Sequence, residues 1–408
     1  MLRGIKKKKK EPEGRDMKRA LFIATVSGFL PQFELDKVYI LQEMGYEVHY
    51  ASNFLHPHYG SDNQWAEGTG VVCHQVDFVR SPFRVWKNQR AYRQLKAVLK
   101  AEQFDLVHCH TPMGGVLGRL AAESCRRNGQ KGIVVFYTVH GFHFYRGAPW
   151  KNWLFYYPVE RWLAHYTDVL ITINQEDFER AKRFRLRGGK KGLGRVERVN
   201  GVGIRIEDYQ KTAGLRERKR KELGISKEAC VFISVGELTK RKNHQVIVKA
   251  FALFSKKMDS VFYLICGEGR EERRLRKLVR RYHLEERVRF LGYRTDIKEL
   301  LAASDCFLFP SKQEGLPVAL MEAKAMGLFC ICSDIRGNRE LAEKEELVER
   351  NRSGFYKRKM EEFLAERQTV KEGQNGGRIW KEAERYSMER AVQKMRRIYK
   401  EIENLEQS

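Results

Sequence analysis

Short apolar runs rich in Val, Ile, Leu and Phe alternate with amphipathic stretches along nearly the whole chain. In the first half, these runs predict strands at 19–26, 47–51, 104–109, 132–138 and 168–173. In the second half, they predict strands at 230–235, 261–266, 287–291, 305–309 and 328–332. Stretches of helical period lie between them, such as 88–100, where Ala91, Leu95, Val98 and Leu99 share one face. Apolar strands separated by helices are typical of βαβ units, so the pattern predicts an α/β fold with parallel sheets.

A Gly- and charge-rich stretch, 185–228, interrupts this alternation once. A chain of 408 residues is also too long for one ordinary core. We therefore expect two doubly wound, Rossmann-like domains, 17–200 and 201–385, that face each other across a cleft with a hinge near 200–203. A C-terminal helix and tail, 386–408, would follow. Ligands bind beyond the carboxyl ends of strands in such sheets, so the loops that follow strands are the places to inspect.

The chain begins with a lysine-rich segment, residues 1–16, which we expect to be a disordered basic leader. The apolar stretch "ALFIATVSGFL" follows it as in a signal peptide, but "EPEGRD" separates the two, and the stretch is better interpreted as a buried strand. No run of eighteen apolar residues predicts a membrane span. The eight cysteines are scattered and form no CxxC pair, so we expect reduced, buried thiols.

The formal net charge is +26, which implies anionic partners such as nucleic acid, lipid head groups or phosphorylated substrates. Much of the excess lies in three bursts, at 180–195, 216–221 and 273–281. For each burst alone, the favoured interpretation is a solvated helix face or loop. The three together still favour an anionic partner.

Basic residues follow the strand predicted at 230–235, where Lys240, Arg241 and Lys242 precede a helix. Cations and the free N–H groups of a helix start attract phosphate at such a point. After the next strand, Gly267 and Gly269 leave room for a flat ligand, although an ordinary tight turn explains this pair equally well.

The segment "EGLPVALMEA", 314–323, joins a predicted strand to a predicted helix. Pro317 suits a first helical turn, so Gly315 and Leu316 can present amides to an anion. Glu322 falls in the second turn and can face the same cleft as Glu314. Carboxylates accept hydrogen bonds from vicinal hydroxyls, so the pair favours a site for sugars beside a diphosphate over two solvated acids.

The loops in the first half of the chain give weaker evidence of a binding site. Gly28 follows the first strand without a GxGxxG motif. His108 and His110 share a strand face and could bind a metal, but no third ligand has suitable spacing, so polar contacts are favoured. His140, at the end of a strand, is equally compatible with donation to a phosphate or sugar and with a buried structural role. The following aromatics belong to the core or to an apolar binding surface; they are Phe142, Phe144, Tyr145, Trp150 and Trp153.

Several motifs together resemble the retaining glycosyltransferases of family 4, which have the GT-B fold. Among these the chain is most similar to bacterial enzymes that extend capsular or exopolysaccharide repeat units. The resemblance spans about 17–340 and is carried by "HCHTPMGGVLGRLAA", "TVHGFHFYRGAP", "TINQEDFERA", "NGVGI", "GELTKRKNHQ", "GYRTDI", "PSKQEGLPVALMEAKAMG" and "SDIRGNREL". The segment "YSMERAVQKMRRIYKEI" is similar to the last helix of the family, which crosses back to the first domain.

This resemblance implies a role for each matching position. Catalysis would rest on Glu314 at the donor sugar, Lys242 at the diphosphate and His140 from the first domain. The donor would also be bound by Glu322 at the ribose, Gly315 and Leu316 through their amides, Pro317, Arg241, Gly267, Gly28 at the cleft floor and Arg294 near the base. The family often has Arg where this chain has Glu237, so Arg241 or Lys240 would supply the second cation.

The implied reaction is the transfer of a hexosyl unit, with retention and without a metal ion or cofactor, from a nucleotide sugar. On family grounds the donor is a UDP-sugar. The acceptor would be a lipid-diphosphate-linked or other glycan that meets the first domain. We expect a cytoplasmic protein, peripheral on the anionic inner face of the plasma membrane.

Two other classes of function stay open. One is a sugar-nucleotide hydrolase, phosphorylase or epimerase on the same fold. The other is a basic membrane-binding or nucleic-acid-binding protein without catalysis, although no RNP-type motif or helix-turn-helix favours nucleic acid.

Overall fold

The computed structural model describes residues 17–58, 62–130, 132–188, 193–209, 213–258, 260–369 and 383–407. It divides into two compact units, the first holding residues up to 109 with 113–135, and the second holding 110–112 with 136 onward. The leader predicted at 1–16 lies outside the described residues. The predicted domain bounds of 17–200, 201–385 and 386–408 stay predictions.

The first unit is built on parallel strands that pair in the order β3-β2-β1-β4. The strands are β1 (Lys18–Ile23), β2 (Tyr46–Ser52), β3 (Val72–Gln75) and β4 (Leu106–Cys109), and the helices are α1 (Phe29–Phe33), α2 (Leu35–Glu43), α3 (Val85–Glu102) and α4 (Pro112–Arg127). In β1, Ala20 pairs with Val48 of β2 and with Leu106 of β4. This central strand is apolar on both faces because both are covered.

The second unit holds β5 (Val134–Val139) from Phe136 onward, together with β6 (Val169–Thr172) and β7 (Arg195–Arg198), and these strands pair in parallel in that order. The helix α5 (Trp150–Ala164) follows β5, and α6 (Gln175–Ala181) follows β6. Asn174 caps α6 by accepting a hydrogen bond of 2.8 Å from the N–H of Asp177. This cap fixes where α6 begins and thereby places the Asp177 side chain.

A six-stranded parallel sheet follows, in the order β10-β9-β8-β11-β12-β13. Its strands are β8 (Cys230–Val235), β9 (Val261–Cys266), β10 (Val288–Gly292), β11 (Cys306–Phe309), β12 (Phe329–Ser333) and β13 (Leu347–Val348). Its helices are α7 (Leu215–Glu222), α8 (His244–Phe254), α9 (Glu272–Arg281), α10 (Ile297–Ala303), α11 (Val318–Ala325), α12 (Arg336–Arg339) and α13 (Ser353–Thr369). The strand order reverses between β8 and β11, which is where ligands bind in doubly wound sheets.

The last helix, α14 (Met388–Gln407), packs on strands from the first half of the chain. Its Tyr399 ring lies 5.2 Å from the ring of Phe136 in β5, and Arg195 of β7 donates to Glu401 over 2.8 Å. The helix begins beside a parallel bridge between Ile204 and Ser387. The return of this helix to the first half was predicted and is confirmed.

All ten predicted strands are present, with bounds that differ by three residues or fewer. Sequence reasoning missed β3, β7 and β13, which are short strands with polar or half-buried residues. β7 lies inside the stretch 185–228, where the pattern predicted no strand. These three strands lie at sheet edges, where fewer neighbours cover them. An edge strand therefore does not require the continuous apolar run by which a central strand is recognised in the sequence.

The basic burst at 216–221 is not simply a solvated face, and that interpretation was wrong for Arg220. Its side chain is buried and pairs with Asp305 over 2.8 Å, and Arg216 pairs with the same carboxylate over 2.5 Å. All eight cysteines are free thiols, and they are buried apart from Cys73. Among the described residues, we find no helix with the length and apolarity required to cross a bilayer.

Candidate active site

Glu314 lies in the loop between β11 and α11, and its side chain is buried beneath two cations. Its Oε1 lies 2.7 Å from Nη1 of Arg241 and 2.9 Å from Nζ of Lys242. Arg241 also donates to the carbonyl of Gln313 over 2.9 Å. These contacts bind the loop after β8 to the loop after β11, at the reversal of strand order. The predicted meeting of acid and cations is therefore present in the structure.

The charges in this cluster determine the protonation of Glu314. Burial alone would raise the pKa of its carboxyl, but the cations of Lys242 and Arg241 outweigh burial and hold that pKa below its ordinary value. The Lys242 ammonium also lies 4.6 Å from the centre of the Phe309 ring, and this cation–π contact helps to orient the lysine side chain. Glu314 is thus an anion, and two cations against one carboxylate leave a net positive charge.

His140 and Gly141 lie directly against Gly315. A Cβ atom on Gly315 would overlap the carbonyl oxygen of His140, and one on Gly141 would lie 3.0 Å from the Cα of Gly315. Gly141 has φ +125°, which also favours glycine. The imidazole Nε2 of His140 lies 3.3 Å from Nδ1 of His110. The structure therefore brings the loop after β5 to the Glu314 loop, and the catalytic role that the resemblance implies for His140 stays a prediction.

Arg336, at the start of α12, holds these two loops together, and sequence reasoning gave it no role. Its guanidinium donates to the carbonyl of Glu314 over 3.1 Å and to the carbonyl of Phe142 over 2.6 Å, and it pairs with the carboxylate of Asp177. The Tyr145 ring covers it with a centroid distance of 4.8 Å. A single buried cation thereby joins the His140 loop, the Glu314 loop and α6.

Asp177 is the anion that balances Arg336. It is fully buried, and its second oxygen accepts hydrogen bonds from the N–H of Phe142 over 3.1 Å and from the Asn174 amide over 2.8 Å. The motifs "SDIRGNREL" and "TINQEDFERA" contain these two residues, but a family resemblance alone does not show that they meet. Gly337 completes the junction, because a Cβ there would lie 2.5 Å from the carbonyl oxygen of Gly315.

Glu322, in the second turn of α11, faces a tyrosine rather than a cation. The hydroxyl of Tyr209 donates to its Oε1 over 2.7 Å. Burial raises the pKa of the Glu322 carboxyl, and the hydrogen bond from Tyr209 offsets only part of that rise. The ribose role implied for Glu322 stays a prediction.

The structure places the remaining predicted residues in varied surroundings. Leu316 is buried in the core beside α11, and Pro317 is the residue just before that helix, with extended ψ. Arg294 forms a two-point pair with Asp296, at 2.7 and 2.6 Å. Gly28 lies in the first unit, where its N–H donates to the carbonyl of Pro57 over 2.9 Å. The ligand roles of all four stay predictions.

The two glycines that follow β9 are explained by close packing against another loop. Gly267 has φ +133°, and a Cβ there would overlap the carbonyl oxygen of Gly236. A Cβ on Gly269 would lie 2.5 Å from the carbonyl oxygen of Leu238. The space that these glycines provide is therefore used by the loop after β8. That contact favours the tight-turn interpretation, and the donor role of Gly267 stays a prediction.

Neighbours of the lysine motif differ in exposure. Lys240 and Glu237 are exposed, whereas Lys242 is half-buried beside Gly236. Arg241 contacts Glu314, and the role of second cation at the diphosphate, implied for it or for Lys240, stays a prediction. In the first unit, His108 lies in β4 with its ring 5.4 Å from that of Phe22.

Two family models match the chain, "Glycosyl transferase 4-like domain" over residues 36–190 and "Glycosyl transferases group 1" over residues 216–380. Over 386 residues the chain is 36% identical to the Bacillus subtilis (strain 168) protein assigned as glycosyltransferase EpsD, covering 94% of this chain and 96% of that protein. This chain is a member of glycosyltransferase family 4. The family predicted from the sequence is therefore confirmed.

Another relative and two solved structures extend this family 4 assignment. The Escherichia coli UDP-Gal:alpha-D-GlcNAc-diphosphoundecaprenol alpha-1,3-galactosyltransferase is 33% identical over 281 residues, which is 67% of each chain. Anabaena Alr3699/HepE in complex with UDP and glucose has a TM-score of 0.73 at 18% identity, covering 95% of this chain and 100% of that chain. The lipopolysaccharide glycosyltransferase WaaG has a TM-score of 0.67 at 16% identity, covering 93% and 99%. At such identities the structures show the fold, and they confirm the α/β GT-B fold.

The close approach at Gly315 gives a direct test of this family 4 site. We expect Gly315→Ala to push the His140 loop away from Glu314 and to lower kcat/KM by roughly 10- to 100-fold, because small displacements of reacting groups are costly. Glycosyl transfer and the melting temperature would both be measured. Gly354→Ala is the matched control, since a Cβ there meets nothing within 4 Å. Unchanged transfer by Gly315→Ala would contradict the proposed importance of this contact.

Proposed function

We propose that the chain transfers a hexosyl unit from a UDP-sugar to a lipid-diphosphate-linked glycan in exopolysaccharide assembly, with retention of configuration and without a metal ion. The observation that carries the proposal is the burial of Glu314 beneath Arg241 and Lys242, with the His140 loop against Gly315. The named substrates of the Escherichia coli relative support a uridine donor and a lipid-linked acceptor.

Leaving-group stabilisation rests on the net positive charge of the Glu314 cluster. A departing nucleoside diphosphate gains negative charge as the glycosidic bond breaks. Lys242 and Arg241, both within 3 Å of Glu314, can share that charge, and the amides of Gly315 and Leu316 at the start of α11 add N–H donors. Fixed cations in a partly dry site perform this task without a metal ion.

Retention follows if the acceptor hydroxyl attacks from the side that the diphosphate leaves. The bond from the anomeric carbon to the diphosphate oxygen breaks, and a bond to the acceptor oxygen forms. The departing phosphate oxygen takes the acceptor proton, so no separate protein base is required. Glu314, held as an anion, would stabilise the positive charge that develops on the sugar, and His140 would orient its hydroxyls.

The decisive experiment has two arms. Isothermal titration with UDP, GDP and ADP, in the presence of EDTA, should show binding of UDP at least tenfold tighter than the others. Transfer from labelled UDP-sugars to a prenyl-diphosphate-linked sugar should then give a product whose anomeric configuration, determined by NMR, matches that of the donor. Dependence on an added divalent ion, or an inverted product, would refute those parts of the proposal. Release of free sugar without an acceptor product would indicate a hydrolase.

Glu322→Gln should weaken UDP binding by roughly 10- to 100-fold, because hydrogen bonds to a charged group contribute about 1.5–3 kcal/mol. The measurement is titration of UDP, with kcat at saturating donor expected to change little. Tyr209→Phe is the control, since it keeps the carboxylate while removing the 2.7 Å hydrogen bond. UDP binding by Glu322→Gln that equals wild type would rule out the ribose role.

Raised pKa at Glu322 also predicts two opposite pH dependences. The ionised carboxylate accepts from ribose hydroxyls more strongly than the neutral carboxyl does, so UDP-glucose affinity should rise with pH above 4.5, over the range where this carboxyl ionises. Folding stability should change the other way. A folded-state pKa above the unfolded value means that the native state holds the extra proton, so wild type loses stability relative to Glu322→Gln as pH rises through this range. The ribose role of Glu322 would be contradicted if UDP-glucose affinity and the stability of wild type relative to Glu322→Gln changed in the same direction with pH.

A further inference from the structure

The outward face of α5 is apolar, although it is exposed. Five large hydrophobic side chains lie on this helix with substantial exposure: Trp150 at 68%, Leu154 at 57%, Phe155 at 64%, Val159 at 42% and Trp162 at 49%. A contiguous apolar patch of this kind on a folded protein marks an interaction surface.

α5 is held in place by its opposite face. Trp153 and Tyr157 pack against the buried ring of Phe144, with centroids 5.7 and 5.3 Å away, and Leu163 and Ala164 are buried. The guanidinium of Arg180 lies 4.5 Å from the centre of the Trp153 ring. The inner face of α5 therefore supplies the contacts of this helix with the core, and the outward apolar side chains are not part of that packing.

The exposed charged side chains of α5 are positive. Lys151 and Arg161 are exposed among the apolar side chains. The acid of the helix, Glu160, is half-buried and accepts a hydrogen bond of 3.3 Å from the hydroxyl of Tyr137. The exposed face therefore combines Trp, Phe and Leu with cations, in a chain whose net charge is +26.

We propose that this face of α5 docks the enzyme on an anionic lipid bilayer. Trp and Phe favour the interface between head groups and acyl chains, and interfacial helices carry Lys and Arg beside such residues. A second copy of the chain fits less well, because a two-fold contact would bring identical cations together. The inference rests on the proposed lipid-linked acceptor for its purpose, but its test does not depend on transfer.

The test is flotation of the full chain with vesicles of phosphatidylglycerol and phosphatidylcholine, compared with vesicles of phosphatidylcholine alone. Wild type should bind the anionic vesicles. Leu154→Ser/Phe155→Ser should weaken that binding at least about tenfold, because two apolar side chains no longer enter the bilayer interface. Lys151→Glu/Arg161→Glu should also weaken it at least about tenfold, since each cation near an anionic surface contributes about fivefold. UDP affinity, measured on the same preparations, should be unchanged in both.

Matched controls address other surfaces. Leu253→Ser removes an apolar side chain that is 46% exposed on α8, and Arg273→Glu/Lys277→Glu reverses two exposed cations on α9. Trp86→Ser tests a separate exposed aromatic of the first unit, 83% exposed. We expect each control to bind vesicles within about threefold of wild type.

Several outcomes would overturn the proposal. These are wild-type levels of vesicle binding by both α5 variants, loss of binding in the α9 or Trp86 variant alone, and failure of wild type to bind anionic vesicles. A change of α5 variants from dimer to monomer with vesicle binding retained would instead indicate a second copy of the chain as the partner. Failure of wild type to bind UDP would refute the proposed function. The vesicle-binding result would still decide whether α5 docks on an anionic bilayer.

Discussion

Glu314→Gln should lower kcat by roughly 10²- to 10³-fold, the usual loss when a fixed electrostatic group is removed from a transition state. The reason is local. The variant keeps the shape of the side chain but removes the anion beside Arg241 and Lys242, so the sugar loses its carboxylate and the cations lose their fixed partner. Single-turnover transfer from a UDP-sugar at saturating donor is the measurement.

UDP affinity should change much less in this variant, because Lys242 and Arg241 remain to bind the diphosphate. Glu272→Gln, which alters an acid paired with Arg276 on α9, is the control and should transfer normally. A melting temperature close to wild type would exclude unfolding as the cause. Full turnover by Glu314→Gln would show that this carboxylate has no part in the chemistry.

Arg336→Met should lose about 3–5 kcal/mol of folding stability, because the fully buried carboxylate of Asp177 is left without its cation. The double variant Arg336→Met/Asp177→Leu should recover most of that stability, since both charges are then absent. Its kcat should nevertheless stay roughly 10²-fold low, because the His140 loop has lost its link to Glu314. Denaturant unfolding and transfer assays on both variants measure the two quantities separately.

A suitable control lies on the same short helix. Arg339 pairs with Asp334 in an exposed position, so Arg339→Met should change stability by no more than about 1 kcal/mol and leave transfer intact. If the double variant regained wild-type kcat along with its stability, Arg336 would be a structural residue rather than one that positions the site.

The fold was predictable because its central strands are covered on both faces. The buried positions of β1, β5, β8 and β11 are mostly apolar, so the sequence displays them as continuous runs. β7 reads "RVER" and is half-buried at every position, so neither period nor composition distinguishes it from the charged stretch around it. Tertiary pairing with β6 determines that strand.

The contact between Lys242 and Glu314 was predictable because each residue follows a strand at the reversal of strand order. Lys242 follows β8 and Glu314 follows β11, and these two strands pair, so the sheet order brings the loops that follow them together. Arg336 and Asp177 are 159 residues apart, and each is unremarkable in its own segment. Their pairing depends on how α6 and α12 come together. No local pattern encodes that approach, and Arg220, buried within a charged burst, escaped notice for the same reason.

The position of α14 has a consequence for synthesis on the ribosome. Phe136, Arg195 and the segment around Ile204 all find partners in residues 387–401, which are translated later than all three. Until those residues emerge, β5 and β7 lack the contacts that they make with α14, so this part of the fold cannot be completed before residues 387–401 have been synthesised. A nascent chain stalled before residue 387 should therefore be an efficient target for chaperones and proteases.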